Sequence, residues 1–182
     1  MTTMTTTTAA AAHAPPPLQA DKPRTQVIVN ISDAKVSSDP EVALVTYSLG
    51  SCIGVTVYDP KVRVGGMLHF QLPTSTLDAQ RAQAAPLMFA DTGFKALLDE
   101  VLRNGGDKKR LKIKMAGAAQ MLNDANIFDI GRRNHAAMRK VLWQHGLFIE
   151  AEHIGGTAPR TMFLNIADGA VSIKMNQQLL AL

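Results

Sequence analysis

Residues 49–73 read LGSCIGVTVYDPKVRVGGMLHFQLP and predict a β-hairpin. Two apolar runs rich in β-branched residues, 52–58 and 64–71, flank the pair Asp59-Pro60, which is typical of a tight turn. Antiparallel strands joined by a short turn lie side by side in one sheet. The segment therefore predicts two paired strands near the centre of a β-rich fold.

The same hairpin is predicted to bring a thiol close to an imidazole. If residues 59–62 form the turn, Cys52 and His69 lie directly opposite each other on one face of the sheet. A thiol beside an imidazole is an activated nucleophile, because the nearby base promotes formation of the reactive thiolate. A longer loop, or a bulge at Gly65-Gly66, would change this register. Taken alone, a cysteine in a strand is also a common core residue.

The rest of the chain predicts an α+β fold, with a layered sheet of mostly antiparallel strands covered by two main helices. Helices are predicted at residues 86–104 and 131–145, the second with Asp129 as N-cap, from apolar residues at three- and four-residue spacing. Strands outnumber helices and several form hairpins, which argues against a doubly wound parallel sheet. Further strands are predicted at residues 26–31, 43–47, 111–116, 147–154, 161–166 and 170–175.

The first 24 of the 182 residues form a low-complexity Thr/Ala/Pro segment that is predicted to be disordered, and residues 25–182 are predicted to form one catalytic domain. Residues 1–20 contain no Lys or Arg and no compact apolar region, so no secretory signal is expected. A single cysteine cannot form an intramolecular disulfide, and no apolar run is long enough to span a bilayer. We therefore expect a cytoplasmic protein without membrane insertion.

Composition and spacing also limit the classes of ligand. The net charge of +4 is modest and aromatic residues make up 5% of the chain, so a nucleic-acid surface is not expected. His135, His145 and His153 lack metal-ligand spacing, and no glycine-rich phosphate-binding pattern precedes a helix. We expect no metal and no cofactor.

Residues 49–73 resemble the signature of the chemoreceptor glutamine deamidase family (CheD). Gly-Ser-Cys, Tyr-Asp-Pro, Gly-Gly-Met, the histidine and Leu-Pro follow one another with the family's cysteine-to-histidine interval. The resemblance covers residues 26–175 and departs from the family pattern at Gln71, at Arg132 and in residues 115–118. Downstream it includes Ile130-Gly131-Arg132-Arg133-Asn134, Gly155-Gly156, Arg160-Thr161 and Asp168-Gly169.

The resemblance implies a cysteine-dependent protein-glutamine deamidase, a hydrolase of C–N amide bonds, with an α/β/β/α-type sandwich fold. Such an enzyme converts glutamine side chains to glutamate with release of ammonia, and hydrolysis of glutamyl methyl esters is a second implied activity. It implies Cys52 as nucleophile, His69 as base and Thr46, six residues before the cysteine, as the third catalytic residue. The backbone N–H groups around Gly50 and Ser51 are candidate oxyanion donors, because small residues let a substrate approach the backbone.

The implied partners are methyl-accepting chemotaxis receptors as protein substrates and a CheC-type phosphatase. One alternative is a docking module for that phosphatase, in which catalysis is secondary or lost. Another is a cysteine acyltransferase or peptidase. Gly155-Gly156 with Arg160 is open to two interpretations, a loop on the substrate side or a structural turn.

Overall fold

The computed structural model describes residues 25–120 and 130–182, which contain ten β-strands and three α-helices. The predicted disordered tail, residues 1–24, and the predicted N-cap Asp129 lie outside the described residues. The strands are β1 (Thr25–Ile28), β2 (Asp33–Ser37), β3 (Val42–Leu49), β4 (Ile53–Asp59), β5 (Val64–Phe70), β6 (Lys112–Gly117), β7 (Ile149–Ile154), β8 (Arg160–Asn165), β9 (Val171–Met175) and β10 (Gln178–Ala181). The helices are α1 (Ala79–Ala84), α2 (Ala90–Arg103) and α3 (Ile130–Gln144).

The strands form two five-stranded sheets. Sheet I has the order β1-β3-β8-β9-β10 and sheet II the order β2-β5-β4-β6-β7. Neighbouring strands are antiparallel except for the pairs β1–β3 and β6–β7. The predicted hairpin, β4 and β5, lies in the centre of sheet II, so both of its strands are paired on both edges.

One apolar cluster fills the space between the sheets, and a second lies between sheet II and the helices. Helices α2 and α3 pack against sheet II and against each other, so the described layers run helix, sheet II, sheet I. Both faces of sheet II are covered, which explains why every residue of β4 and β5 is buried. The predicted α+β sandwich of mostly antiparallel strands is confirmed. The inter-sheet cluster, named so below, comprises Val29, Val42, Leu44, Leu49, Tyr58, Met67, Ala116, Met162, Leu164, Ile166, Val171 and Ile173.

The long helix predicted at residues 86–104 is present in two pieces. A single 3-10 turn occupies Pro86–Met88, and Phe89 then adopts an extended conformation with ψ of 146° before α2 begins. Phe89 is fully buried. Burial of this ring therefore overrides the helical pattern at one residue. Among the described residues, no helix has the length and hydropathy that crossing a bilayer requires.

The hairpin register differs by two residues from the one predicted. Gly54, not Cys52, lies opposite His69, and Asp59 pairs with Val64, so the loop comprises residues 60–63. The predicted turn at residues 59–62 was wrong because Asp59 stays in β4. Since side chains alternate with a period of two, this shift keeps the residues of β4 and β5 on their predicted faces of the sheet, whereas Cys52 lies just before β4 and outside the strand.

Asp59 stays in the strand because its carboxylate is held from several directions. It is fully buried and accepts hydrogen bonds from the backbone N–H groups of Lys61 (2.9 Å) and Asp107 (2.8 Å). The guanidinium of Arg110 donates two more, from Nε (3.1 Å) and Nη2 (2.7 Å). Burial alone would raise the pKa of Asp59, but these hydrogen bonds outweigh it and lower the pKa from 3.8 to about 2.

We expect Asp59→Asn to lower the free energy of unfolding at neutral pH by about 2 kcal/mol, because the charge-assisted bonds are lost. A carboxylate with a depressed pKa stabilises the fold above its unfolded value of 3.8, and this contribution is lost as the pH falls through about 2. The gap between wild type and variant should therefore narrow on acidification. Urea unfolding of both proteins at neutral and at acidic pH measures it, and a gap that stays constant contradicts the assignment.

Candidate active site

His69 and Thr46 meet in the space between the two sheets. His69 projects from β5 of sheet II and Thr46 from β3 of sheet I, and both are essentially unexposed, at 1% and 0%. The Thr46 Oγ1 atom lies 2.8 Å from His69 Nδ1. The same Oγ1 donates a hydrogen bond to the backbone oxygen of Val29, also at 2.8 Å. A polar contact thus joins the sheets within an otherwise apolar core.

These two hydrogen bonds determine the tautomer of His69. The hydroxyl of Thr46 has one hydrogen, which goes to the Val29 carbonyl because a carbonyl can only accept. Thr46 Oγ1 must therefore accept from His69, so Nδ1 carries the ring proton. In a neutral imidazole the other nitrogen, Nε2, then has a free lone pair and can act as a base. Nε2 is buried and has no hydrogen-bond partner among the described residues.

Gly54 makes room for this contact. It lies directly opposite His69 on the neighbouring strand, so a side chain there would point into the same space. A Cβ atom at Gly54 would lie 3.0 Å from Leu49 Cδ1 and 3.3 Å from Thr46 Cγ2. Both distances are tighter than ordinary van der Waals contact, so the missing side chain lets Thr46 reach the imidazole.

Cys52 lies in the short loop between β3 and β4, partly buried and packed against the inter-sheet cluster. A β-bulge between Thr46 and Leu49 precedes this loop, and within it Ser48 has a φ of 56°. Bulges bend a strand and redirect the chain that follows, and they are common beside active sites. The bulge therefore turns the chain from the residue that contacts His69 towards the cysteine.

The carbonyl groups around Cys52 are tied to the segment that follows β6. Ala118 N–H donates to Cys52 O (2.9 Å), and Ala119 N–H donates to Gly50 O (2.7 Å). A Cβ atom at Gly117, where φ is 129°, would lie only 2.2 Å from Cys52 O, so glycine is required for this approach. No periodicity in the sequence points to backbone contacts of this kind, and sequence reasoning missed them.

The trans peptide geometry then directs the N–H groups of the loop. In a trans peptide the C=O of one residue and the N–H of the next point in opposite directions. Gly50 O accepts from Ala119 N–H, and Ser51 O accepts from the side chain of Asn134. The N–H groups of Ser51 and Cys52 therefore point away from these two partners. Burial raises the pKa of the Cys52 thiol, and the N–H of Cys52 is close enough to the thiol to offset part of that rise.

Burial keeps both reactive groups uncharged at rest. It raises the pKa of the Cys52 thiol above 9.0, an effect that the thiol's own backbone N–H only partly offsets. Burial also lowers the pKa of His69 from 6.5 to about 4. The resting pair is a thiol and a neutral imidazole, with no hydrogen bond to Nε2 among the described residues. Catalytic hydrogen bonds are often loose before substrate binds.

Arg160 supports the loops around the cysteine. Its side chain is 2% exposed and donates to the carbonyl groups of Gly117 (3.0 Å), His153 (2.6 Å), Gly155 and Ala158 (3.3 Å). Of the two interpretations of this region, the geometry favours a structural turn, because the guanidinium faces backbone oxygens inside the protein. Arg160 thereby fixes the carbonyl of Gly117, next to Ala118, whose N–H holds Cys52.

The histidines outside the site do not converge. His135 Nε2 contacts Glu152 at 3.0 Å, and the ring of His145 packs 5.9 Å from that of Phe94. Within residues 25–120 and 130–182, no three side chains of the types that ligate metals are grouped.

Comparison with known proteins gives a consistent set of matches. The family model described as "CheD chemotactic sensory transduction" matches residues 71–175, which begin two positions after His69. The chain is 46% identical over 151 residues to the probable chemoreceptor glutamine deamidase CheD of Solibacter usitatus, covering 83% of this chain and 89% of that protein. It is 47% identical over 148 residues to CheD 1 of Syntrophus aciditrophicus, with coverages of 81% and 92%.

Two further similarities complete the comparison. CheD 2 of Anaeromyxobacter dehalogenans is 44% identical over 152 residues, covering 84% of this chain and 96% of that protein. Among solved structures, Neisseria meningitidis protein NMB0706 matches with a TM-score of 0.41 and 11% identity, covering 74% of this chain and 64% of that one.

Protonation of His69 should be visible in the stability of the protein. Below pH 6.5 His69 binds a proton in the unfolded chain but stays neutral in the folded protein, where its pKa is about 4. The free energy of unfolding therefore falls as the pH drops from 6.5 towards 4. The expected loss is roughly 3 kcal/mol. His69→Gln should flatten this part of the curve, measured by chemical unfolding at several pH values.

The comparison isolates His69, because His145, whose pKa burial also lowers, is present in both proteins. Parallel stability curves for wild type and variant between pH 6.5 and pH 4 would show that His69 titrates normally in the fold.

Proposed function

Because this chain belongs to the CheD family, we propose that it is a cysteine-dependent deamidase that hydrolyses glutamine side chains of chemoreceptors to glutamate. The observation that supports this most strongly is the hydrogen-bonded series Val29 O, Thr46 Oγ1 and His69 Nδ1, which leaves a free base at Nε2. Cys52 packs into the same space between the sheets. In this proposal Cys52 is the nucleophile, His69 the base and acid, and Thr46 the residue that holds the tautomer.

The first half-reaction transfers the acyl group to sulfur. His69 Nε2 takes the proton from the Cys52 thiol while the sulfur attacks the carboxamide carbon of the glutamine, and the carbonyl oxygen becomes an oxyanion. The backbone N–H groups of Ser51 and Cys52, which follow Gly50 in the loop, are the proposed donors to that oxyanion. The tetrahedral intermediate collapses as Nε2 returns the proton to the nitrogen, which breaks the C–N bond and releases ammonia.

The second half-reaction hydrolyses the thioester. Nε2 takes a proton from a water molecule whose oxygen adds to the thioester carbon. Collapse of the second intermediate breaks the C–S bond, and the proton on Nε2 restores the thiol of Cys52. The net change is glutamine plus water to glutamate plus ammonia. A glutamyl methyl ester enters the same sequence with methanol as the leaving group, which makes esterase activity a consistent second proposal.

The names of the relatives support the substrate that we propose. Their printed names specify a chemoreceptor glutamine deamidase, and we extend that substrate class to this chain. We propose a cytoplasmic location, because the signalling part of a receptor would be modified there, and a CheC-type phosphatase as the regulatory partner. The alternative, a docking module with catalysis lost, predicts binding to the phosphatase while receptor glutamines stay intact.

Cys52→Ala should abolish release of ammonia from receptor signalling fragments, because the variant has no thiol at all. Peptide mass spectrometry should show conversion of glutamine to glutamate with the wild type and none with the variant. Thermal unfolding of both proteins checks that the fold is kept. Equal conversion by the variant would remove Cys52 as nucleophile, and shortened peptides would indicate a peptidase instead.

Thr46→Val should lower kcat by about 10²-fold or more, because loss of the acceptor frees the imidazole to adopt the other tautomer. Thr46→Ser keeps the hydroxyl and should remain close to wild type. The ring ¹⁵N chemical shifts of His69 report the tautomer directly. The kinetic assay is ammonia release from a receptor fragment.

Thr56→Val is the matched control for this series. Thr56 is 1% exposed, lies in β4, and its hydroxyl donates to a backbone carbonyl, that of Lys114 at 3.2 Å. The Thr56→Val variant should lose about as much stability as Thr46→Val but should keep the kcat of the wild type. If both valine variants lose the same activity, Thr46 supports the fold and has no part in setting the tautomer.

A further inference from the structure

Asn134 joins the two segments that carry Cys52 and His69. It lies in the first turns of α3 and is fully buried. Its Nδ2 atom donates to the backbone oxygen of Ser51 at 3.1 Å and to that of Gln71 at 2.7 Å. Ser51 precedes the cysteine by one residue, and Gln71 follows the histidine by two.

The orientation of this amide is set by its neighbours. Both nearby partners are carbonyl oxygens, which can only accept, so the NH2 end of the side chain must face them. The other end, Oδ1, is buried and has no hydrogen-bond partner among the described residues. A buried polar atom without a partner opposes folding and offsets part of the stability that the two hydrogen bonds from Nδ2 contribute.

We propose that Asn134 is a positioning residue for the proposed deamidation, holding the cysteine loop and the end of β5 at a fixed separation. The inference rests on the proposed function. It concerns an amide that touches neither the thiol nor the imidazole and acts through the backbone of both segments. Helix α3 thereby contributes to a site whose three side chains all come from β3, β5 and the loop before β4.

The contact with Ser51 has a second consequence, because it fixes one peptide plane. Ser51 O and the N–H of Cys52 belong to the same trans peptide and point in opposite directions. While Asn134 holds the oxygen, the N–H of Cys52 stays on the side of the thiol, where an oxyanion would form. Without the amide, this peptide loses the one side-chain contact described for its oxygen, and the oxyanion would lose a preorganised donor.

The test compares Asn134→Asp with wild type in ammonia release from a receptor fragment. Aspartate has the shape of asparagine but replaces the NH2 donor by oxygen, so it cannot hold both carbonyl groups. We expect kcat to fall roughly 100-fold, the loss typical of one oxyanion donor or of a small misplacement. The KM should be unchanged, because Asn134 is buried and a protein substrate contacts the surface.

Two measurements separate positioning from stability. Tyr58→Phe is the matched control: it removes another buried hydrogen bond, from Tyr58 to the Ile166 carbonyl at 3.0 Å, at the far end of β4. It should lower the melting temperature and leave kcat unchanged. The ring ¹⁵N shifts of His69 should stay as in wild type in Asn134→Asp, because Thr46 still holds the tautomer.

Each outcome decides between the proposals. Unchanged kcat in folded Asn134→Asp, a rise in KM alone, or an equal loss in Tyr58→Phe overturns the positioning role and leaves the deamidase intact. A wild-type protein that releases no ammonia overturns both. If Asn134→Asp does not fold, Asn134→Ala, which buries no charge, carries the same comparison.

Discussion

The hydrogen bond between His69 and Thr46 is the contact on which the rest of the site depends. It joins β5 of sheet II to β3 of sheet I, and the absence of a side chain at Gly54 leaves room for it. The Val29 carbonyl completes the series and removes the ambiguity in which nitrogen carries the proton. A packing constraint between two sheets is therefore also a chemical constraint, since it determines which atom of the imidazole is the base.

Burial between the sheets shifts the pKa values of both His69 and Cys52. The same low polarity raises the pKa of Cys52 and lowers that of His69, so charge separation between them is disfavoured in the resting protein. Many cysteine enzymes instead hold a preformed thiolate and imidazolium. In the mechanism that we propose, the thiol stays protonated until substrate is present, so proton transfer and attack on the amide are coupled.

The sequence predicts the hairpin, the two main helices and the fold class, because these depend on local periodicity. It does not predict the hairpin register. The loop begins after Asp59 because Arg110 binds the Asp59 carboxylate, and Arg110 is 51 positions away in the sequence. Strand β2 was not predicted, because its residues are only partly buried and lack a strict alternation. Thr46 could be identified only through the family resemblance: a threonine within a strand carries no local sign that its hydroxyl meets a histidine 23 positions away.

Four buried side-chain atoms have no hydrogen-bond partner among the described residues, and two of them, His69 Nε2 and Asn134 Oδ1, belong to the site or to its support. Each opposes folding, and a core selected only for stability would replace such groups with apolar side chains. The other polar side-chain atom of each residue is engaged: His69 Nδ1 contacts Thr46, and Asn134 Nδ2 donates to two backbone carbonyls. The unpaired atoms lower the stability of the fold, while the paired atoms hold the His69 ring and the Asn134 amide in one orientation each. That pattern is expected where geometry matters more than burial, which is the condition of a preorganised active site.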